Sequence, residues 1–438
     1  MKTVHGLGFA LLVFLGACAE PGYVPPSVTK APVEEPIVEQ APQVVYPGTP
    51  EFEADKILIA LLAPRSGQHA RLGEALMNAA ELALFDARDP RITVKAYDTQ
   101  ATPAIAAQAA AQAVEDGAHV ILGPLFSTSV RAVGPIAQNA DIPVLAFSND
   151  ANVADEGVYL LGFQPAQEVE RIIEFAAKDN ELKRFAALIP EGAYGETVLR
   201  AFGGEVVKQG AEVRAIEIYE RNTQAMTEPV KTIADYDRRA DWLRQERDFL
   251  EDLNDDMGNE LLEKLENQET LLQPEYDAIL LAEGGQLLRT LAPLLAIYEV
   301  DPTQIKFLGT GLFNDLGLTR EPPLHGAWFA APPAEGFAAF SKRYRDVFGR
   351  APARISALAY DAMAMTAILA REPVVADRFS QGAITDPNGF AGIDGIFRFR
   401  ANGIAERKLA ILEIQPEGFV TISPAATSFE RQDDFLLN

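Results

Sequence analysis

Residues 56–85 read KILIALLAPRSGQHARLGEALMNAAELALF, and the two halves of this stretch have different periods. Ile57 to Leu62 is an unbroken apolar run of strand length, followed by a loop at Pro64-Arg65-Ser66-Gly67. Leu72, Ala75, Leu76, Ala79, Leu82, Ala83 and Phe85 then recur at helical spacing. A strand apolar on both faces followed by an amphipathic helix is the repeating unit of a parallel sheet covered by helices on both sides.

The unit repeats outward from there. The pattern predicts strands over Ile92–Tyr97, His119–Leu122 and Pro143–Phe147, with helices over Pro103–Glu115 and Ser129–Gln138. A second series follows Gln164-Pro165, with strands over Arg184–Ile189, Glu212–Tyr219, Ala278–Ala282, Lys306–Gly309 and Gly326–Ala330. Its predicted helices cover Glu168–Ala177, Glu196–Gln209, Gln286–Ile297, Phe337–Phe348 and Ile355–Ala370. Gly395–Phe399 and Leu409–Gln415 read as an antiparallel pair joined through Asn402-Gly403. Two such series imply an α/β protein with two lobes, each a parallel sheet flanked by helices, and a cleft between them.

Composition narrows the function. The 38 Lys and Arg against 63 Asp and Glu give a net charge of −25, which repels nucleic acid and anionic lipid. One Cys among 438 residues excludes an intrachain disulfide and a multi-thiolate metal site. His69, His119 and His325 fall in separate segments, and no Gly-x-Ser-x-Gly elbow occurs. Gly309-Thr310-Gly311 lacks the third glycine of a dinucleotide fingerprint. The expectation is a protein with no catalytic residues, no metal and no cofactor.

Met1-Lys2-Thr3 and the apolar run Leu7–Leu15 read as a signal peptide over 1–17, the run being far short of the ~20 residues a membrane-spanning helix needs. It ends in Leu15-Gly16-Ala17-Cys18, which resembles a bacterial lipobox and implies Cys18 as the acylated residue. The chain would then meet the membrane through its lipid alone. Ala19-Glu20, in place of an aspartate retention signal, favours the outer membrane, facing the periplasm. Residues 18–54 form a tether: eight prolines and almost no large apolar residues cannot bury a core. Its 36 residues after Cys18 could span on the order of 110 Å at ~3.1 Å per residue.

The segments KILIALLAPRSGQHARLGEALMNAAELALF from Lys56, GAHVILGPLFSTSV from Gly117, IPVLAFSND from Ile142 and RFAALIPEGAYGETV from Arg184 carry a resemblance. They resemble type I periplasmic binding proteins of the branched-chain amino-acid receptor superfamily. More closely, with the lipobox and tether, they are similar to the penicillin-binding-protein activator lipoproteins of Gram-negative bacteria. The resemblance implies lobe one over 55–163 and 334–405, lobe two over 164–333 and 406–424, three hinge crossings, and a tail over 425–438.

It also implies where a ligand would sit. Ser127 and Thr128, in the loop after the 119–122 strand, match positions that hold a ligand carboxylate in amino-acid receptors, although either hydroxyl could equally cap the helix. Ser148 and Asn149 end the next strand at the same edge, and Tyr194 matches a tyrosine that lobe two often contributes. For the ligand ammonium the chain offers Glu283 and Thr310, while the acid expected on the second of these loops is missing.

One insertion departs from the pattern. Residues 225–275 hold 15 Asp or Glu against six Lys or Arg, a net of −9. Tyr236, Leu243, Leu250 and Met257 fall seven apart, supported by Ile233, Ala240 and Leu261, which predicts a long helix breaking near Gly258. It reads either as a solvated hairpin packed on lobe two or as an acidic arm for a partner. The leading expectation is therefore an outer-membrane lipoprotein that activates a penicillin-binding protein, a peptidoglycan synthase, by contact. The alternative is a solute-binding receptor for an ABC-type transporter, with an amino acid or small amide in the cleft. The first prediction concerns the anchor: Cys18→Ala should abolish fatty-acid labelling and release the protein from the membrane fraction, and continued labelling would refute the assignment.

Overall fold

The computed structural model describes residues 56–429; the signal run, Cys18, the tether and residues 430–438 lie outside the described residues. The first series forms a five-stranded parallel sheet from β1 (Ile57–Ala63), β2 (Ile92–Asp98), β3 (Val120–Leu122), β4 (Val144–Ala146) and β5 (Val158–Leu160), in the order β2-β1-β3-β4-β5. Its crossovers are α1 (Ala70–Ala87), α2 (Pro103–Glu115) and α3 (Ser127–Asn139). Both faces are buried, as the continuous apolar run requires: Ile57, Ile59, Leu61 and Ala63 enter one core, while Ala60 and Leu62 enter another.

The second sheet is built on α4 (Pro165–Glu174), β6 (Arg184–Pro190), α5 (Ala193–Lys208) and β7 (Glu212–Tyr219). The acidic segment contributes α6 (Thr227–Ile233), α7 (Tyr236–Leu253) and α8 (Asp256–Leu265). Then come β8 (Ala278–Leu281), α9 (Gly285–Ile297), β9 (Lys306–Gly309) and β10 (Trp328–Ala331). On β6, Phe185, Ala187 and Ile189 face one core and Ala186 and Leu188 the other. The chain returns to the first lobe as α10 (Ala334–Phe348), α11 (Ser356–Leu369), α12 (Gln381–Ile384) and a small antiparallel sheet of β11 (Phe390–Gly392), β12 (Gly395–Phe399) and β13 (Ala405–Arg407). It ends in β14 (Ala410–Gln415) and β15 (Gly418–Ser423), completing the second sheet in the order β15-β14-β10-β9-β8-β6-β7.

The expected antiparallel pair of 395–399 with 409–415 is corrected here. Phe397 pairs with Arg407, and Ile411 pairs with Ala330, so the two expected partners lie in different sheets. The passage between lobes falls between Arg407 and Ala410, beyond the expected boundary at 405/406. Nor are the described tail residues 425–429 a free end. Phe429 lies under the Arg398 guanidinium and the Lys408 ammonium, 4.3 and 5.1 Å from its ring centre, carrying the chain back to the small sheet.

The acidic segment also differs from the expected helix. Its start is core: Met226, Val230, Ile233 and Ala234 pack beneath the second sheet with Tyr276. The long helix breaks at Asn254, whose φ of +46° is left-handed, four residues before Gly258. Gly258 instead sits in the first turn of α8, where its N–H donates to Asp255 Oδ1 at 2.7 Å and a Cβ would press on Leu250 O. The break rotates the pattern, so Leu243 and Leu250 are buried while Met257 is 70% exposed.

Arg239 anchors this segment. Only 1% exposed, it donates to the carbonyls of Ala234, Leu272, Tyr298 and Glu299 at 2.7–3.3 Å. Arg239→Ala would leave these carbonyls unpaired and should cost about 3 kcal/mol or more, read from the urea midpoint. An unchanged midpoint would show that the apolar contacts of α6 suffice.

Candidate functional site

Parallel strands deliver their following loops to one edge, so polar residues far apart in sequence gather there. At the first sheet, Ser127 and Thr128 open α3 directly after β3, and Ser148 and Asn149 follow β4. At the second, Tyr194 follows β6, Arg221 follows β7, Glu283 follows β8 and Thr310 follows β9. The passage from β5 into α4 touches both groups. A Cβ on Gly162 would collide with Ser148 O, and the Gly311 N–H donates to Glu168 Oε2 at 2.9 Å.

The structure brings the second group together. Tyr194 Oη lies 3.0 Å from Thr310 Oγ1, and Thr310, fully buried, also accepts the Leu312 N–H at 3.4 Å. Burial pushes the Tyr194 phenol above its ordinary pKa, with the carboxylates of Glu168 and Glu283 adding to the shift. Ser127, Thr128, Ser148 and Asn149 make no hydrogen bond to this group among the described residues. Neither Ser127 nor Thr128 caps α3, since the cap position is Phe126. Thr128 and Asn149 are exposed, Ser127 is half-buried, and Ser148 is buried, accepting the Asp150 N–H at 3.2 Å. Ser129, one residue past the expected pair, is fully buried and its Oγ has no hydrogen-bond partner among the described residues. Alongside, the His69 and Phe126 rings meet at 5.0 Å.

Glu283 is fully buried and fully engaged. Arg221 donates through Nη2 to Oε1 at 2.7 Å and through Nε to Oε2 at 3.1 Å. Tyr219 Oη donates at 3.2 Å and the Gly284 N–H at 3.0 Å. A carboxylate with a bidentate guanidinium already on it has little field left for a ligand ammonium. Arg221 escaped the sequence reading because 62 residues separate it from Glu283; it lies just past the end of β7, and only knowing that β7 and β8 both flank β6 places it beside Glu283.

Three further residues were not legible. Glu168, 7% exposed in the first turn of α4, has its carboxyl pushed up to about 7 by burial, against the Gly311 N–H and the positive field of Arg354. Gly311 is glycine for this contact, since a Cβ would stand 2.5 Å from Glu168 Oε1. Arg354 grips Asp394 with two bonds at 3.0 and 2.6 Å and lies over Phe163 and Phe337. Arg407 lies over Phe163 and Phe397, donates to Leu161 O at 3.2 Å, and stands 3.8 Å from Asp361. Burial pushes Asp361 up and Arg407 down from their ordinary values.

His119 and His325 serve local structure. His119 Nδ1 accepts the Leu58 N–H at 3.3 Å, and His325 Nε2 lies 2.8 Å from Thr319 O. A cavity of about 990 Å³ lies at the opposite edge of the first sheet, where the strands begin, lined among others by His119, Asp141, Glu156 and Phe379.

Residues 56–418 match the family model for periplasmic binding proteins. The chain belongs to that family. A leucine-binding protein of Thermotoga maritima superposes on this periplasmic binding protein with a TM-score of 0.56 at 17% identity, covering 86% of this chain and 99% of that one. An uncharacterised protein of Rickettsia prowazekii is 28% identical over 182 residues, 42% of this chain and 48% of its own length. The penicillin-binding protein activator LpoA of Klebsiella pneumoniae is 33% identical over 128 residues, 28% of this chain and 17% of its own. The chain thus spans about half the length of the Rickettsia relative and about a sixth of the Klebsiella one.

Glu168 makes stability depend on pH. Its folded value of about 7 exceeds its ordinary 4.5, so the folded state holds the proton more tightly. That contribution is complete below about 4.5 and is lost as pH rises through about 7. Glu168→Gln, which keeps an acceptor for the Gly311 N–H, should flatten the fall in melting temperature between these values and raise it above pH 7. A variant that loses stability only above pH 7 would show instead that the ionised carboxylate is favoured there.

Proposed function

We propose that this periplasmic binding protein is a non-catalytic outer-membrane lipoprotein, held by a lipid on Cys18 and facing the periplasm, that activates a penicillin-binding protein by direct contact. The observation that carries the reading is the engagement of Glu283 by Arg221. The one acid placed to receive a ligand ammonium is neutralised from within its own lobe, so the fold keeps the receptor architecture without the receptor's charge arrangement. The partial similarity to LpoA supplies the partner class. A protein acting by contact needs no general acid, base or nucleophile.

The second reading, a solute-binding receptor for a transporter, is favoured by one feature. Ser129 Oγ, buried without a partner at the start of α3, is a donor available to a small carboxylate or amide.

One pair of measurements separates the two. Cross-linking in cells followed by affinity capture of this chain should recover a protein that labels with fluorescent penicillin, and the purified chain should raise that synthase's rate. A transport permease in its place would overturn the activator reading. In parallel, Leu, Glu and a muropeptide should give no thermal shift, although a ligand at ~100 times its Kd would stabilise the fold by about 2.7 kcal/mol. A clear shift that Ser129→Ala and Tyr194→Phe abolish would establish the receptor instead.

A further inference from the structure

The α7–α8 hairpin carries an apolar surface that its own fold does not use. Phe249 and Leu253 lie one turn apart on α7, 58% and 44% exposed, and Met257 and Leu261 one turn apart on α8, 70% and 39% exposed. Leu253 Cβ lies 3.4 Å from where a Cβ on Gly258 would stand, so the end of α7 meets the start of α8 and the two exposed pairs, the apolar stripe of the hairpin, flank one bend. The hairpin is held from its other side. Leu243 and Leu250 are buried, Arg247 donates to the carbonyls of Leu265 and Gln268 at 2.6 and 3.0 Å, and Asp255 caps α8. Phe249 and Met257, the most exposed of the four, make none of these contacts.

Its surroundings are negative and uncompensated. Residues 244–268 hold nine Asp or Glu against Arg244, Arg247 and Lys264. Arg244 pairs with Asp241, Lys264 with Glu260, and Arg247 is occupied by carbonyls. Asp248, Glu251, Asp252 and Asp256, which alternate with the apolar residues, are paired with no cation among the described residues.

We propose that this stripe is the docking surface for a cationic amphipathic segment of a protein partner, one that presents Lys or Arg beside aliphatic or aromatic anchors. The charge pattern chooses this occupant. An anionic bilayer is repelled by the acids that flank the stripe, and a second copy of this chain brings another −25 to the same interface. A cationic amphipathic helix instead meets complementary charge at the rim and aliphatic or aromatic contacts at the centre, with the flexible Met257 adapting to its shape. The proposal rests on the functional reading above only in that the partner is a protein.

The test uses the purified full chain and synthetic helical peptides of Lys and Leu, of Lys and Ser, and of Glu and Leu. The Lys–Leu peptide should bind at low salt and weaken as salt rises, while the other two bind at least ~10-fold more weakly. Phe249→Ser with Met257→Ser should weaken the Lys–Leu peptide ~10-fold without moving the melting temperature, because both side chains are exposed. Asp248→Asn with Asp252→Asn gives an independent variant that should lower affinity and the salt slope together. Equal binding of the Lys–Ser peptide, or binding unaffected by either pair, would reduce the effect to diffuse attraction and overturn the proposal. Dimerisation of the wild-type chain that the Ser pair abolishes would assign the stripe to a second copy, and binding to anionic vesicles would assign it to the membrane. No synthase is present in this assay, so its failure leaves the activator reading standing, and failure of the synthase capture leaves this one standing.

Discussion

Two guanidinium groups flank a single phenyl ring at the junction of the lobes: Arg354 and Arg407 each place their charge 5.1 Å from the centre of Phe163. Phe163 lies on the first passage between the lobes, and the two arginines come from the returning segments. Removing such charges from water is unfavourable unless they are paired, and here the pairing is unequal. Arg354 has the fully buried Asp394 in a bidentate grip, whereas Arg407 has one carbonyl, a carboxylate at 3.8 Å, and two aromatic faces. The rings supply part of what a second carboxylate would, through cation–π attraction in a desolvated site. Because Phe163 is fixed, α4 starts where Glu168 can reach Gly311, and the loops after β4 and β9 are brought to the same crossover.

The parts of this arrangement that were legible in the sequence are those decided within a dozen residues. The 57–62 run, the helix over 103–115 and the strand over 306–309 carry their own periodicity, and each reappears at or within one residue of its expected bounds. What was not legible is decided by distant partners. Val158–Leu160 is three residues long and becomes a strand because Val144–Ala146 offers it an edge. Gly418–Ser423 has no fully buried residue and no alternation of burial, and it pairs only because β14 has already joined the second sheet. The heptad Tyr236, Leu243, Leu250 and Met257 predicted one continuous seam; local turn chemistry at Asn254 and the Asp255 cap overrode its fourth member.

The candidate site shows the same division. Tyr194, Glu283 and Thr310 were named from the resemblance to amino-acid receptors, and they meet because loops after parallel strands collect at one edge. Arg221, which changes the meaning of Glu283, could not be found that way. An arginine after β7 is unremarkable by itself, and its importance arises from β7 and β8 flanking β6 on either side. Glu168 looked like an ordinary helical acid in the first turn of α4, and only the approach of Gly311 makes it a buried one.

Charge is handled differently in the body and in the hairpin, and the contrast bears on how one fold serves different ends. At the junction the guanidinium groups of Arg354 and Arg407 face carboxylates and rings, because a low-dielectric interior penalises an unpaired charge. In the hairpin the acids face water, where solvation makes an unpaired carboxylate inexpensive and leaves its field available to whatever approaches. The strands that frame the two cores are the property of the family, and similarity in them says what the chain folds into rather than what it meets. Specialisation must therefore reside where the core does not dictate the residue, which in this chain is the carboxyl edge with its neutralised Glu283 and the acidic hairpin beyond Arg239. Of these, the first has closed its charge on itself and the second has left its charge open. The recognition proposed for this chain, which depends on complementary charge, therefore uses the open one.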